Sequence, residues 1–309
     1  MRSARIAGWG TALPEKVVTN DDLAAVLDTS DEWIVERSGI HERRIGGTTS
    51  SLAIDAGKIA LDHAGVTAKD VDLVVLCTST PDQQIPATAS TVQHVLGLEC
   101  GAFDLNAACS GFVYGLVTAH QLIAAGGTDR VLLIGSETMS RMIDWDERTT
   151  AVLFGDGAGA VVLEATEGET HLLGWDLGSD GSLRSILDAD IGGYMRMEGK
   201  EVFRRAVRVM IDSSKRAMQR AGVTADDIAL FVPHQANIRI IESANAKLGF
   251  SMDRTAVVLD RTGNTSAASI PIALADAADN GRLKPGDLAL MVGFGAGMTW
   301  SSAIVRWSR

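Results

Sequence analysis

The chain has 309 residues, 46% of them hydrophobic and 22% charged, with a formal net charge of −11. This is the composition of a folded globular protein, and its acidic balance excludes a general nucleic-acid binder, whose affinity rests on cationic contacts to phosphate. Three cysteines without a CxxC spacing are too few for a disulfide framework and fit no common zinc pattern, so a reducing, cytoplasmic setting is expected.

The N-terminal stretch MRSARIAGWGTALP is broken by glycines and Pro14, so it does not read as a signal peptide. No run reaches the roughly 20 apolar residues of a membrane span. The first clear helix is SLAIDAGKIALDHAG (51–65), followed by a polar turn and the strand LVVLC (73–77), which makes Cys77 a core residue. Cys100 reads as a turn residue before the strand GAFDLN (101–106). A helix follows in SGFVYGLVTAHQLIAAGG (110–127), ended by Gly126 and Gly127. Further strands are VLLIG (131–135), AVVLE (160–164) and LALMVG (288–293). A long helix ends in AVRVMIDSSKRAMQRAG (206–222), and RTGNTSAASIPIAL (261–274) leads into another.

An internal echo organises these elements. AGVTAKDVDLVVL at 64–76 returns as AGVTADDIALFVP at 221–233, about half a chain later. The pair DRVLLIGSE (129–137) and GDLALMVGFG (286–295) repeats at nearly the same separation. Continuous apolar strands alternating with helices imply sheets covered on both faces. We therefore expect an α/β fold of two similar halves, 1–165 and 166–309, packed as one unit with sites between them.

Cys109 falls at a strand-to-helix turn among Ala107, Ala108, Ser110 and Gly111. It is either a small core filler or a nucleophile whose neighbours are kept small so that substrate can approach. A helix N-terminus would favour its thiolate. His234 is the histidine with a special setting: it ends the second repeat's strand, in LFVPHQANIRI, whereas His41, His63, His94, His120 and His171 read as structural or solvated. Asn264 lies in another run of small residues before a helix. The loops FGDGAGAVVL (154–163) and VGFGAGMTW (292–300) match neither GxGxxG nor GxxxxGK[ST]. Their better use is close approach of backbone amides to a reacting carbonyl.

Together, TSDEWIVERSGIHERR, AACSGF, FGDGAGAVVL, VPHQANIRII, GNTSAASIP and GFGAGMTWSSAIVRW resemble, nearly end to end, the thiolase-fold condensing enzymes of the β-ketoacyl-acyl carrier protein synthase III family. Thiolases carry a second cysteine in the C-terminal glycine loop, which here reads GFGAG. The elongating synthases use Cys-His-His, where this chain has Asn264. The resemblance implies a five-layered αβαβα architecture and a homodimer. It also implies a cofactor-free acyltransferase that joins a short acyl-CoA to malonyl-acyl carrier protein. Cys109, His234 and Asn264 would then be catalytic, with the amides of Cys109 and Ala296 as oxyanion hole.

For acyl-CoA the resemblance assigns Trp33 and Arg148 to the adenine, Arg37 to the phosphates, and Gly199 and Asn237 to the pantetheine arm. Lys200 and Ala296 depart from the residues most common in the family, Asn and Gly. Arg204, Arg208, Arg239 and Lys247 are the expected docking cations for an acidic carrier protein. Ile85 and Met139 are expected to line the acyl pocket, with a reach across the dimer open for Ile85. Two other readings stay open: an acyltransferase of secondary metabolism, and a catalytically silent thiolase-fold binding protein.

Overall fold

The computed structural model describes residues 2–309. Its first sheet contains β1 (Arg2–Ala12), β2 (Leu73–Cys77), β3 (Gly101–Leu105), β4 (Arg130–Thr138) and β5 (Asp156–Glu167), in the spatial order β1-β5-β4-β2-β3. The second contains β6 (Leu172–Ser179), β7 (Ile228–Pro233), β8 (Leu288–Gly295) and β9 (Thr299–Arg306), in the order β7-β8-β9-β6. The sequence echo is an echo of pairing. β2 runs parallel to β4, as β7 does to β8, and in each half two antiparallel steps then complete the series.

The shared words have a local physical cause. Helix α1 (Thr49–Ala64) stops at Gly65, whose φ of 68° is the left-handed conformation that glycine adopts without strain. The later long helix, which ends at Ala221, stops at Gly222 with the same φ of 68°. After each stop a threonine and an aspartate three residues on, Thr67 with Asp70 and Thr224 with Asp227, cap one another and aim the chain into its strand.

Helix α1 and helix α2 (Thr88–Val95) cover the outer face of the first sheet. Helix α3 (Gly111–Ala124) and, later in the chain, Ser269–Asp279 fill the space between the sheets. Gly199–Ala221 (α4) and Ile238–Leu248 (α5) cover the outer face of the second sheet; we label Ser269–Asp279 α6. The order helix, sheet, helix, sheet, helix is the expected five-layered arrangement. Helix α3 is apolar on nearly every side because it is buried on nearly every side: Phe112, Val113 and Ile123 are fully buried.

The halves differ in one respect. The first sheet ends in strand β3, whereas the corresponding position beside β7 holds only a single parallel bridge, Phe231 to Thr255. No helix among the described residues is long and apolar enough to cross a membrane.

Candidate active site

Cys109 lies in the turn Ala108–Ser110, between β3 and α3, and is 9% exposed. The reason for its small neighbours is steric. The end of β8 rests directly on this turn: a Cβ added to Gly295 would stand 2.6 Å from the Cys109 amide nitrogen, and one added to Gly293 would stand 3.2 Å from Ser110 Cα. Ala108 takes a φ of +48°, a left-handed conformation rare for alanine, and its N–H donates to Asn106 Oδ1 at 3.0 Å. Cys77 is fully buried, as expected, and Cys100 is partly buried against the outer core.

The expected thiolate is opposed by the surroundings of the sulfur. Burial pushes the Cys109 thiol up to about 12, the nearby Glu137 carboxylate adds to this, and a hydrogen bond donated by Ser266 Oγ to Sγ at 3.3 Å opposes it. Burial thus opposes the pull of the helix N-terminus on this sulfur.

His234 follows β7 directly and extends its ladder, donating its N–H to Val292 O at 2.8 Å. Its ring sits edge-on to Phe294, and burial lowers it to about 3, so the imidazole is neutral. Its Nδ1 lies 2.6 Å from Ser269 Oγ, which also accepts the Gln235 N–H at 3.3 Å. Ser269 Oγ has no other acceptor among the described residues. Its hydroxyl proton therefore points to Nδ1, and Nε2 carries the ring hydrogen.

Asn264 is fixed by its backbone, which donates to Leu153 O at 2.8 Å and accepts from Gly155 N–H at 3.1 Å. Its side-chain oxygen accepts the Ser266 N–H at 2.9 Å, which orients the amide and leaves its NH₂ as a donor. One cavity of about 330 Å³ is lined by Cys109, His234, Asn264, Phe294 and Ala296. It brings a thiol and two neutral N–H donors together, with the Gly295–Ala296 peptide lying against the Cys109 amide. That geometry can accept an acyl group on sulfur and stabilise a developing negative oxygen.

Four positioning residues were not read from the sequence. Gln235, fully buried, spans Pro233 O, Ala256 O and the Val258 N–H at 2.7, 3.1 and 2.9 Å, tying the His234 loop to the segment that leads to Asn264. Ser266 and Ser269 belong to GNTSAAS, quoted for its small residues while its hydroxyls passed unassigned. Glu137, the last residue of the word DRVLLIGSE, is a carboxylate on a strand that is buried from Val131 onward; a charge ending so apolar a run is the available signal.

From the cavity a passage widens past Gly199, Phe203 and Asn237 to an outer groove of about 610 Å³ lined by Trp33, Arg37, Lys200 and Arg239. Here the adenine expectation meets a closed arrangement. The Arg37 and Arg148 guanidinium groups lie 4.6 and 4.7 Å from the Trp33 ring centre, and Arg148 also donates to Asp28 O at 2.5 Å. A planar base cannot enter between Trp33 and Arg148 until that cation–π contact opens.

Met139 lines the cavity with Met142, Met195 and Met197, but Ile85 does not: it is 84% exposed on the surface of its own chain. The docking cations divide as well. Arg204 and Arg205 both bind Glu201, and Arg208 faces Asp212 at 3.7 Å, so part of the expected charge is neutralised. Arg239 and Lys247 have no acidic partner among the described residues; Arg239 instead lies over the Phe203 ring.

Comparison with known proteins resolves the class. The family description 3-oxoacyl-[acyl-carrier-protein] synthase III matches residues 103–181, and its C-terminal counterpart matches 218–307. The β-ketoacyl-[acyl-carrier-protein] synthase III of Erythrobacter litoralis is 51% identical, over 99% of this chain and 100% of that one. The chain belongs to the β-ketoacyl-acyl carrier protein synthase III family.

Synthase III 1 of Bacillus anthracis is 47% identical over 98% of this chain and 99% of its own. The crystal structure of the Aquifex aeolicus synthase III superposes with a TM-score of 0.97 at 45% identity, covering 98% of this chain and all of that one. A priming β-ketosynthase of the R1128 polyketide pathway is also similar, with a TM-score of 0.94 at 35% identity over 99% of this chain and 96% of its own. Synthase III membership confirms the thiolase-like α/β expectation and the acyltransferase class.

Proposed function

We propose that this synthase III family member condenses a short acyl-CoA, acetyl-CoA above all, with malonyl-acyl carrier protein to give 3-oxoacyl-acyl carrier protein, CoA and CO₂, initiating fatty acid synthesis. The observation that carries the reading is the common cavity of Cys109, His234 and Asn264, each supplied by a different turn at a strand end or helix mouth. In the first half-reaction Cys109 Sγ bonds to the thioester carbon while the amides of Cys109 and Ala296 receive the oxyanion. In the second, malonyl thioester loses CO₂, and the negative charge that develops on its carbonyl oxygen is met by N–H groups of His234 and Asn264. The enolate carbon then attacks the acyl group and releases the sulfur. Residues of this chain supply every donor these steps require, and the substrates are the acyl-CoA and the carrier protein themselves.

Acyl-CoA would enter by the outer groove, with its phosphates near Arg37 and its pantetheine arm past Gly199 and Asn237. The adenine would displace Arg148 from Trp33. Carrier-protein docking falls chiefly to the unpaired Arg239 and Lys247, with Arg204 and Arg208 held back by their acidic neighbours. Reversing the charge at Lys247, which lies outside the acyl-CoA groove, should raise the Michaelis constant for malonyl-acyl carrier protein and leave that for acyl-CoA within about twofold; equal losses on both substrates would count against this surface.

Strand β3 is the open edge of the first sheet, and its Phe103 is 36% exposed. Asp104 on that edge accepts the N–H groups of Thr88 and Ala89 at 2.8 Å, which holds the loop carrying Ile85 beside it. A homodimer formed through β3 would cover Phe103 and Ile85 and direct Ile85 toward the partner's cavity. Light scattering should give twice 32.6 kDa. The three unpaired thiols fit a reducing cytoplasm.

The decisive assay supplies acetyl-CoA and malonyl-acyl carrier protein together. Release of CO₂ with acetoacetyl-carrier protein is expected, along with an acetylated Cys109 by intact mass when acetyl-CoA is given alone. The likeness to the R1128 priming ketosynthase favours a second reading, transfer into a polyketide pathway. A strong preference for a longer acyl-CoA over acetyl-CoA would favour it over initiation of fatty acids.

A further inference from the structure

Arg43 is a fully buried arginine that the mechanism above leaves unused. It lies on the short strand Glu42–Arg44, paired with Val17–Thr19. Nη1 of its guanidinium donates to Val18 O at 3.1 Å and to Asn20 Oδ1 at 2.9 Å. Nη2 donates to the same Asn20 Oδ1 at 3.0 Å and to Val152 O at 2.7 Å. None of these acceptors is a carboxylate. A buried cation held by neutral oxygens is costly to keep, and costlier still to deprive of one partner.

The acceptors explain the placement. Asn20, itself buried, directs both amide hydrogens at the helix Asp31–Ser38, donating to Asp31 Oδ1 and to Ile40 O, each at 2.7 Å. Asp31 opens that helix and Ile40 lies just beyond its Gly39 cap, so one carboxamide grips both ends. The helix carries Trp33 and Arg37. Val152, the other anchor, is the C-terminal cap of the helical turn Arg148–Ala151, which carries Arg148. The two sides of the Trp33–Arg148 stack therefore belong to separate elements, and a single nitrogen of Arg43 bonds to the support of each.

We propose that Arg43 is a positioning residue for the nucleotide of acyl-CoA, holding the helix of Trp33 and the turn of Arg148 in fixed register on either side of the adenine. The inference rests on the acyl-CoA reading of the outer groove. When the base displaces the Arg148 side chain from Trp33, the backbones that carry them must not spread apart, or the base is left unclasped. A guanidinium suits this task because its donors lie in one rigid plane. A lysine ammonium is a point charge on a flexible stem and does not hold two acceptors at a set angle. Arg43 also backs the turn of Asn264: a Cβ added to Gly155 or Gly263 would stand 3.2 or 3.1 Å from the Arg43 Cβ, and these glycines adjoin the bridged pair Phe154 and Asn264. The test therefore reads acylation of Cys109, a step in which Asn264 takes no part.

The test compares the whole enzyme with Arg43→Lys, which keeps the cation, and with Asn20→Ser, a milder change that leaves Arg43 in place and cuts its link to the Trp33 helix. Thermal melts establish that each variant is folded. Calorimetric titration measures CoA binding. Intact mass follows acylation of Cys109 from acetyl-CoA and from S-acetyl-N-acetylcysteamine, a thioester that lacks the nucleotide. Each variant should weaken CoA binding on the order of tenfold, the scale of one lost hydrogen bond to a charged group, and raise the half-saturating acetyl-CoA concentration in step. Acylation by the short thioester should stay within about twofold of the wild type, because nothing it touches is held by Arg43. Wild-type affinity for CoA in the folded variants, or equal losses with both thioesters, would overturn the proposal and leave the condensing-enzyme reading intact. A wild type that binds no CoA would overturn both.

Discussion

Replacing His234 with alanine should slow malonyl decarboxylation on the order of 10²–10³-fold, the loss typical of removing one donor to a developing oxyanion. Acetylation of Cys109 from acetyl-CoA should change far less, because the oxyanion of that half-reaction faces the amides of Cys109 and Ala296. The wild-type decarboxylation rate, measured as labelled CO₂ release, should stay flat as pH falls from 8 toward 5. A histidine near its ordinary 6.5 would impose an acid limb there, but burial lowers His234 to about 3, so the ring keeps the same protonation state throughout. An acid limb centred near 6.5 would show that the imidazole works as a titrating base.

The same burial acts on stability. His234 and His120, lowered to about 3 and about 4, are neutral in the fold and protonate near 6.5 when unfolded. Between those limits the unfolded chain binds more protons. Stability from these groups is therefore complete above about 6.5 and declines as pH falls toward 4, which acid unfolding followed by circular dichroism would record.

The second large effect is expected at Gly295. A Cβ there would lie 2.6 Å from Cys109 N and 3.0 Å from the Ala108 Cβ, contacts that the backbone and the strained Ala108 cannot relieve by rotating a side chain. Gly295→Val should reduce overall condensation on the order of 10²-fold or more by displacing the Cys109 and Ala296 amides. Overpacking should cost about 1–3 kcal/mol of stability. Steady-state rates and thermal melts separate the two: a folded variant with near-normal turnover would mean that the β8 end does not shape the oxyanion site.

Much of this was legible in the chain. Cys109, His234 and Asn264 stood out because each ends an apolar strand or opens a helix among residues too small to pack a core, and the paired AGVTA words exposed two halves before any fold was known. Other features depend on partners far apart in sequence. Ser266, Ser269 and Gln235 are ordinary polar letters until the fold sets Ser269 against an imidazole 35 positions away and Ser266 against a sulfur 157 positions away. A sequence displays the helix mouth beside Cys109 but not the burial or the neighbouring Glu137 that oppose a thiolate there. The neutralised arginines could have been foreseen, since Glu201 with Arg205 and Arg208 with Asp212 are four apart on one helix. Ile85 could not, since a loop's exposure is decided by neighbours the sequence does not name.

The missing fifth strand of the second sheet bears on how copies of the chain can add together. Within one chain the free borders of β1 and β6 meet, where Ser3 Oγ accepts the His171 N–H at 3.0 Å, and the border of β7 is shielded by the irregular segment through Thr255. The outer edge of β3 has no strand beside it among the described residues. In the proposed dimer, two molecules joined there by a twofold axis would use up each other's free edge, and growth would halt at a closed unit instead of running on into a filament.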